Sequence, residues 1–305
     1  MQPHWQQTQA CLEAYPKVLL VQDTTEIDLS HRTKMSGMGQ IGNAKGRGML
    51  LQTVLAVEPE RRAVLGCIAQ KPFVRVWAPV QEQRYQRRHR EHRETDIWMQ
   101  MVEQAGSAPA TSLLVHVGDR GADTFAFFRA CLLTQTHFVV RAAQNRRVEA
   151  KEEKIDHLLD QVRAWPSQDQ RPFEVPPSHG RTGRETRLDI SFGDVSILPP
   201  WNDPRASKEP LSLWVVRVWE LEPPEGEEPL EWILLTSVQV SSSEQAWQRV
   251  DWYRCRWIVE DDLKSSQNGM PHRRTTGAER RAPDAPDGAA LPSGRAAGAI
   301  ARPFA

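Results

Sequence analysis

Three acidic residues, far apart in the chain, each stand in a setting suited to catalytic metal binding. Asp23 closes the run Val18-Leu19-Leu20-Val21-Gln22-Asp23, and Asp119 follows Val115-His116-Val117-Gly118. Glu260 ends the stretch Tyr253-Arg254-Cys255-Arg256-Trp257-Ile258-Val259-Glu260. The first two stretches read as buried strands that end in an Asp. The third reads as a helix presenting Arg256 and Glu260 one turn apart, because residues i and i+4 share a helix face. Three carboxylates so placed can hold two magnesium ions, which is equipment for phosphoryl transfer. Each also has a plainer reading. A strand-end Asp often only caps the next loop, Gly118-Asp119-Arg120-Gly121 could be a tight turn, and Arg256 with Glu260 could be a surface ion pair. It is the combination that points to chemistry.

These residues need elements to position them. The continuous apolar run at 18–21 predicts a strand covered on both faces. Residues 49–57 and 63–69 read as two more strands, with 58–62 as the hairpin turn between them. Further strands are expected at 112–117 and 137–141, and helices over 91–105, stopped by Gly106, and over 122–133. The order β-β-β-α-β-α-β is therefore readable by residue 141, an α/β pattern. Gly37, Gly39, Gly42, Gly46 and Gly48 predict a flexible loop and not a phosphate cradle, because no G-x-x-x-x-G-K-[ST] is present. Frequent Pro and short alternating runs at 188–192, 213–219 and 232–236 predict a mostly β insertion over 143–242. A helix from about 243 to 264 returns to the core. Residues 1–16 are short and polar and read as a residual tail. Residues 268–305 hold ten Ala and one aromatic residue without periodicity, which predicts disorder.

Composition narrows the classes. The 305 residues suffice for one large domain or two moderate ones, and eleven Trp permit a sizeable core. The 39 basic and 39 acidic residues cancel, so any nucleic-acid binding must come from local basic patches. Arg84, Arg87, Arg88, Arg90 and Arg93 form one such cluster, which reads more readily as a solvated surface than as a DNA contact. Cys11, Cys67, Cys131 and Cys255 form no C-x-x-C or His/Cys pattern, so structural zinc is not expected, and scattered thiols fit a reducing cytoplasm. No apolar run reaches membrane-spanning length and no signal peptide is visible, so no membrane partner is expected.

Taken together, Gln22-Asp23-Thr24-Thr25, Gly118-Asp119-Arg120-Gly121-Ala122-Asp123 and Tyr253-x2-Arg256-x3-Glu260 resemble the DDE transposases of the insertion-sequence-four family, of the transposon-five type. The segments His137–Arg141 and Pro229–Ser237 match that group as well, and the resemblance covers about residues 17–264. It implies a ribonuclease-H-like core, a mixed sheet flanked by helices, in two parts. These are residues 17–142 and a Glu-bearing helix at 243–267, with the β insertion of 143–242 between them. It implies Asp23, Asp119 and Glu260 as the catalytic, metal-binding triad for two Mg2+ ions, for which Mn2+ can substitute. The ions would serve cleavage and strand transfer at transposon ends and target DNA. Tyr253 and Arg256 would contact the DNA backbone. Trp232 would stack on a flipped base, although as a residue it reads equally as a core aromatic. Arg184 and Arg187 would be DNA contacts in the insertion. Intact relatives work as a homodimer in a synaptic complex.

The chain departs from the family in three ways. Only 22 residues precede Asp23, where the family carries a DNA-binding region, so truncation is expected there. The family has Lys seven positions after its Glu, whereas position 267 is Gln. The codons possible for Gln267–His272, read one base later, can encode Lys-Thr-Gly-Cys-Arg-Ile, which suggests a frameshift and an out-of-frame tail at 268–305. The dimer-forming C-terminal helices would then be absent. Impaired cut-and-paste activity is one expectation. An inactive remnant that binds DNA or a full-length subunit and inhibits transposition is the alternative. A stand-alone ribonuclease-H-like nuclease is a third.

Overall fold

Val18, Leu19, Leu20 and Val21 are all fully buried, because the strand that contains them is sandwiched between two apolar layers. Val18 and Leu20 belong to the core on one face, and Leu19 and Val21 to the core on the other. The computed structural model describes residues 2–32, 34–42, 46–75, 83, 86, 93–149, 155–175, 183–201, 208–224, 226–227 and 229–259. Its first half runs α1 (Gln2–Leu12), β1 (Lys17–Asp28), β2 (Gly39–Ile41), β3 (Gly46–Glu58), β4 (Ala63–Phe73), α2 (Asp96–Ala105), β5 (Leu113–Gly118), α3 (Phe125–Leu133) and β6 (His137–Arg141). Its second half runs β7 (Arg147–Glu149), β8 (Ile155–His157), α4 (Leu158–Arg163), β9 (Asp169–Val175), β10 (Arg184–Ile197), β11 (Leu211–Glu220), β12 (Glu231–Thr236) and α5 (Ser243–Arg254).

The result is a mixed α/β fold built on one largely antiparallel sheet with helices on its faces. β4, β3 and β1 pair antiparallel in that order. β1 then pairs parallel with β5, and β5 parallel with β6. β12 joins β6 antiparallel, and β11 and β10 continue the sheet. The β-rich stretch after residue 143 thus extends the same sheet and forms no separate layer. On one face α2 buries Ile97, Trp98, Met101 and Val102, and α3 buries Phe125, Phe127 and Phe128. On the other face lies α5, with Trp247, Val250, Trp252 and Tyr253 buried against β10, β6, β11 and β5.

Local chemistry explains the boundaries. Thr124 caps α3 by accepting the Phe127 N–H at 3.2 Å, and Ser242 caps α5 by accepting the Gln245 N–H at 3.3 Å. Gly106, at φ 81°, ends α2 and donates its N–H to the Val102 carbonyl. In the turn after β3 the Glu58 carboxylate accepts the N–H groups of Glu60 and Arg61 at 3.1 and 2.9 Å.

Three expectations need correcting. Asp23 does not end its strand, since β1 continues to Asp28. What ends near Asp23 is the parallel ladder with β5, whose last pair is Val21 with Val117. The glycines at 37–48 are not simply a flexible loop. Gly39–Ile41 pairs with β3, and a Cβ at Gly48 would lie 2.0 Å from the Ile27 carbonyl oxygen, so glycine there permits close strand approach. Residues 2–12 form a helix where a tail was expected. It is held by tertiary contacts that a polar sequence does not advertise: Leu12 is buried, and the Ser112 hydroxyl donates to the Leu12 carbonyl at 2.9 Å.

Among the described residues no helix is long and apolar enough to cross a membrane. The four cysteines are free thiols. Residues 260–267 of the expected core helix, and the tail at 268–305, lie outside the described residues.

Candidate active site

The register between β1 and β5 places the two Asp residues. Lys17 is level with Leu113 and Val21 with Val117, and the same offset carries Asp23 level with Asp119. Neighbouring strands lie about 4.8 Å apart. Side chains two residues apart share a face, so Asp23 continues the row Leu19–Val21 and Asp119 the row Val115–Val117. Both rows face the layer that contains α5. Asp119 keeps an extended backbone, at φ −79° and ψ −161°, so the alternation survives one residue beyond the strand.

Each carboxylate is oriented locally. Asp119 Oδ1 accepts the Gly121 N–H at 2.7 Å, capping the 3-10 turn Arg120–Ala122. That turn folds tightly back over Gly118, where a Cβ would lie 2.6 Å from the Ala122 Cβ. Asp23 Oδ1 accepts the Thr24 N–H at 2.9 Å, and its Oδ2 lies 3.8 Å from Nη1 of Arg256. The plainer reading of Asp119 as a turn residue is therefore also true of it. The cap engages one of its two oxygens.

The helix supplies the opposing charge. Residues 256–259 are helical beyond a turn at Cys255. Arg256 is buried, 7 % exposed, and its guanidinium lies 4.1 Å from the Trp257 ring centroid. Tyr253, one turn earlier, is 4 % exposed. Burial raises its pKa above the usual phenol value. The Arg256 and Arg141 guanidiniums beside it pull the other way, and the Asp119 carboxylate adds to the rise. Burial thus favours the protonated phenol, which can donate a hydrogen bond.

Arg141 and Arg120 belong to this cluster; both lie in segments that match the family, but neither was expected as a site residue. Burial lowers the Arg141 pKa, Tyr253 opposes that shift, and Arg120 and Arg256 add to it. Arg141 ends β6 one residue after Val140, which is level with Gly118, so it stands beside Asp119. Extending the strand-end reading to a third strand would have found it.

Trp232, on β12, reaches the edge of the cluster. Its ring lies 5.4 Å from that of Tyr253 and 6.0 Å from that of Phe173, both edge-on. Arg254 covers Phe173 at 4.9 Å. Arg184 and Arg187 are not brought to the carboxylates. They lie on β10, four strands from β5 and so about 19 Å across the sheet. Arg184 is paired with Glu220 at 2.8 Å and also with Glu227, while Arg187 is exposed opposite Pro172. Of the arginine cluster, Arg84, Arg87, Arg88 and Arg90 lie outside the described residues, and the Arg93 N–H donates to Asp96 at 2.9 Å. Glu260 also lies outside the described residues.

No protein-family model matches the chain. Its chemistry is therefore read from geometry. Other groups near the two strands are poor reactants. His116 is fully buried on the opposite face, and burial pushes its pKa down to about 3, so it stays neutral. Its Nδ1 pairs with Gln22 Nε2 at 2.9 Å. Burial raises the Cys255 thiol to about 11. What remains is a pair of neighbouring carboxylates faced by the buried Arg256 and the half-buried Arg141. Among the described residues no group of three His, Cys, Asp or Glu converges on one point; the two carboxylates nearest each other at this site are Asp23 and Asp119. As hard oxygen donors they suit magnesium, which takes one or two carboxylates and completes its shell with water and phosphate oxygens.

Proposed function

We propose that this chain is the catalytic core of a DDE transposase of the insertion-sequence-four family, transposon-five type, on a ribonuclease-H-like fold. The observation that carries the reading is the parallel β1–β5 register, level from Lys17/Leu113 to Val21/Val117 and leading directly into Asp23 and Asp119, with Arg256 Nη1 3.8 Å from Asp23 Oδ2. The strand order β4-β3-β1-β5-β6, three antiparallel and then two parallel, supports the fold assignment.

Asp23 and Asp119 hold magnesium on this reading, with Glu260 as the third carboxylate by motif match. Bound magnesium supplies Lewis-acid polarisation of the scissile phosphate and activation of the attacking hydroxyl. The chain's own residues bind and orient. Arg256 offers a planar guanidinium to phosphate oxygens, and Arg141, whose Nη2 donates to the Glu231 carbonyl at 2.9 Å, adds positive charge beside it. Tyr253, kept protonated, donates to the same backbone. Trp232 presents a half-buried ring beside Tyr253, where an unstacked base can rest. In the hydrolytic step water attacks phosphorus, the P–O3′ bond breaks, and the freed 3′-oxygen takes a proton. In strand transfer that 3′-hydroxyl becomes the attacking group on target DNA.

The test is nicking of duplex DNA carrying the flanking inverted repeats, with and without magnesium. The expected result is metal-dependent nicking by the wild type and none by Asp23→Asn or Asp119→Asn. Undiminished nicking by either variant refutes the assignment for that residue.

A further inference from the structure

Two described tryptophans stand out into solvent, Trp201 at 79 % exposed and Trp257 at 50 %. A single exposed aromatic is ordinary on a protein surface. Trp201 fits that description, beyond the end of β10 and four strands across the sheet from β5. Trp257 differs in its neighbour. The Arg256 guanidinium lies 4.1 Å from its ring centroid, and Nη1 of the same guanidinium lies 3.8 Å from Asp23 Oδ2. A separation that short lays the planar guanidinium against one face of the indole. The exposed ring is therefore one guanidinium away from a carboxylate of the candidate site.

One face of the ring is covered, yet half of the residue stays open, so the opposite face meets solvent. The other aromatic groups of the site are less free. Tyr253 is 4 % exposed, and Trp232 is half-buried with its ring set edge-on to Tyr253 and Phe173. An open π-face backed by a cation suits an unpaired nucleobase, because every base has a flat face to lay on it and carries a phosphate for the cation nearby. The stack on the far side also restrains the indole, so less freedom is lost when a base arrives.

We propose that Trp257 is a stacking platform for one unpaired nucleobase of the strand whose phosphate lies at Asp23 and Asp119, with Arg256 as the support behind the ring. The proposal rests on the DNA-cutting reading of the site and adds a base contact distinct from that at Trp232. The test is fluorescence anisotropy of the full chain with a labelled inverted-repeat duplex that ends in a short unpaired overhang. It is run in magnesium-free buffer over a range of salt, with abasic positions introduced one at a time along the overhang. Trp257→Ala should weaken binding about fivefold or more, Trp257→Phe less than about twofold, and Trp201→Ala not at all. One abasic position should weaken the wild type as much as Trp257→Ala does, and should weaken Trp257→Ala no further. The slope of affinity against salt should stay as in the wild type, because a base stack releases no counterions. Equal binding by the wild type and Trp257→Ala would overturn the proposal, and so would an equal loss in Trp201→Ala. A shallower salt slope in Trp257→Ala would overturn it too, since the ring would then act only by holding Arg256 against a phosphate. Metal-dependent nicking by the wild type, read on the same preparation, separates the two readings: nicking without any effect of Trp257 sinks the platform alone, and absence of both binding and nicking sinks the DNA-cutting reading with it.

Discussion

Replacing Asp119 by Asn and by Ala separates its two roles. Asn removes the charge and keeps a side-chain oxygen for the Gly121 N–H, whereas Ala removes both. Loss of a capping oxygen costs about 1 kcal/mol, and Asn caps about as well as Asp. The charge has its own effect. Two carboxylates about 5 Å apart repel by about 0.8 kcal/mol in bulk water and about 3 kcal/mol at an effective dielectric constant of 20. The site is partly open, and Arg256 lies 3.8 Å from Asp23, so the low end of that range applies. Without metal, Asp119→Asn should therefore gain up to about 1 kcal/mol of stability. Asp119→Ala, with cap loss and relief nearly cancelling, should melt close to wild type. The Asn-minus-Ala difference isolates the cap, at roughly 2–4 °C in melting temperature for a chain this size. Magnesium at ten times its dissociation constant should stabilise the wild type by about 1.4 kcal/mol and neither variant. The assay is thermal unfolding across a magnesium titration. Equal melting of the Asn and Ala variants would refute the cap, and an undiminished magnesium shift in Asp119→Asn would refute the metal role.

Other expectations follow from the same geometry. Arg256→Lys keeps the charge but loses the planar fork, so DNA affinity should fall about tenfold, consistent with about 1.5 kcal/mol for one charge-assisted hydrogen bond, as read by a binding titration. Gly118→Ala forces a Cβ to within 2.6 Å of the Ala122 Cβ, so the turn must shift. It should cost about 1–3 kcal/mol in chemical denaturation and reduce metal binding through displaced Asp119. His116 gives a pH signature, because burial holds its folded pKa at about 3, below the 6.5 of a free imidazole. The unfolded chain binds the extra proton between those values, so stability falls as pH drops from about 6.5 towards 3, by about 1.4 kcal/mol per pH unit. Replacing the pair as His116→Leu with Gln22→Met should flatten that slope by one proton, as measured by denaturation at several pH values.

The local part of this arrangement was legible in the chain. Val18–Val21 announced a doubly covered strand, whereas the helix face expected for Arg256 and Glu260 reaches beyond the described residues at 260. The levelness of Asp23 and Asp119 was not legible, because register between strands 96 residues apart is a tertiary fact. The length of β1 was missed because beyond Val21 its residues are polar, and only pairing with β3 holds them extended. Arg141 was missed because a lone Arg after an apolar strand is common, and its meaning lies in standing beside Asp119. The helix at 2–12 has no apolar stripe, so its docking could not be anticipated from periodicity. Arg184 looked like a phosphate contact in sequence, and its acidic partners Glu220 and Glu227 come from distant segments.

The central claim is that Asp23 and Asp119 jointly bind the divalent metal that cuts DNA. The most direct measurement is calorimetric titration of Mn2+ into the wild type and into Asp23→Asn/Asp119→Asn, with magnesium-dependent DNA nicking read on the same samples. The account predicts saturable binding and nicking in the wild type, both abolished in the double variant. Binding and nicking of equal strength in the two proteins would contradict it.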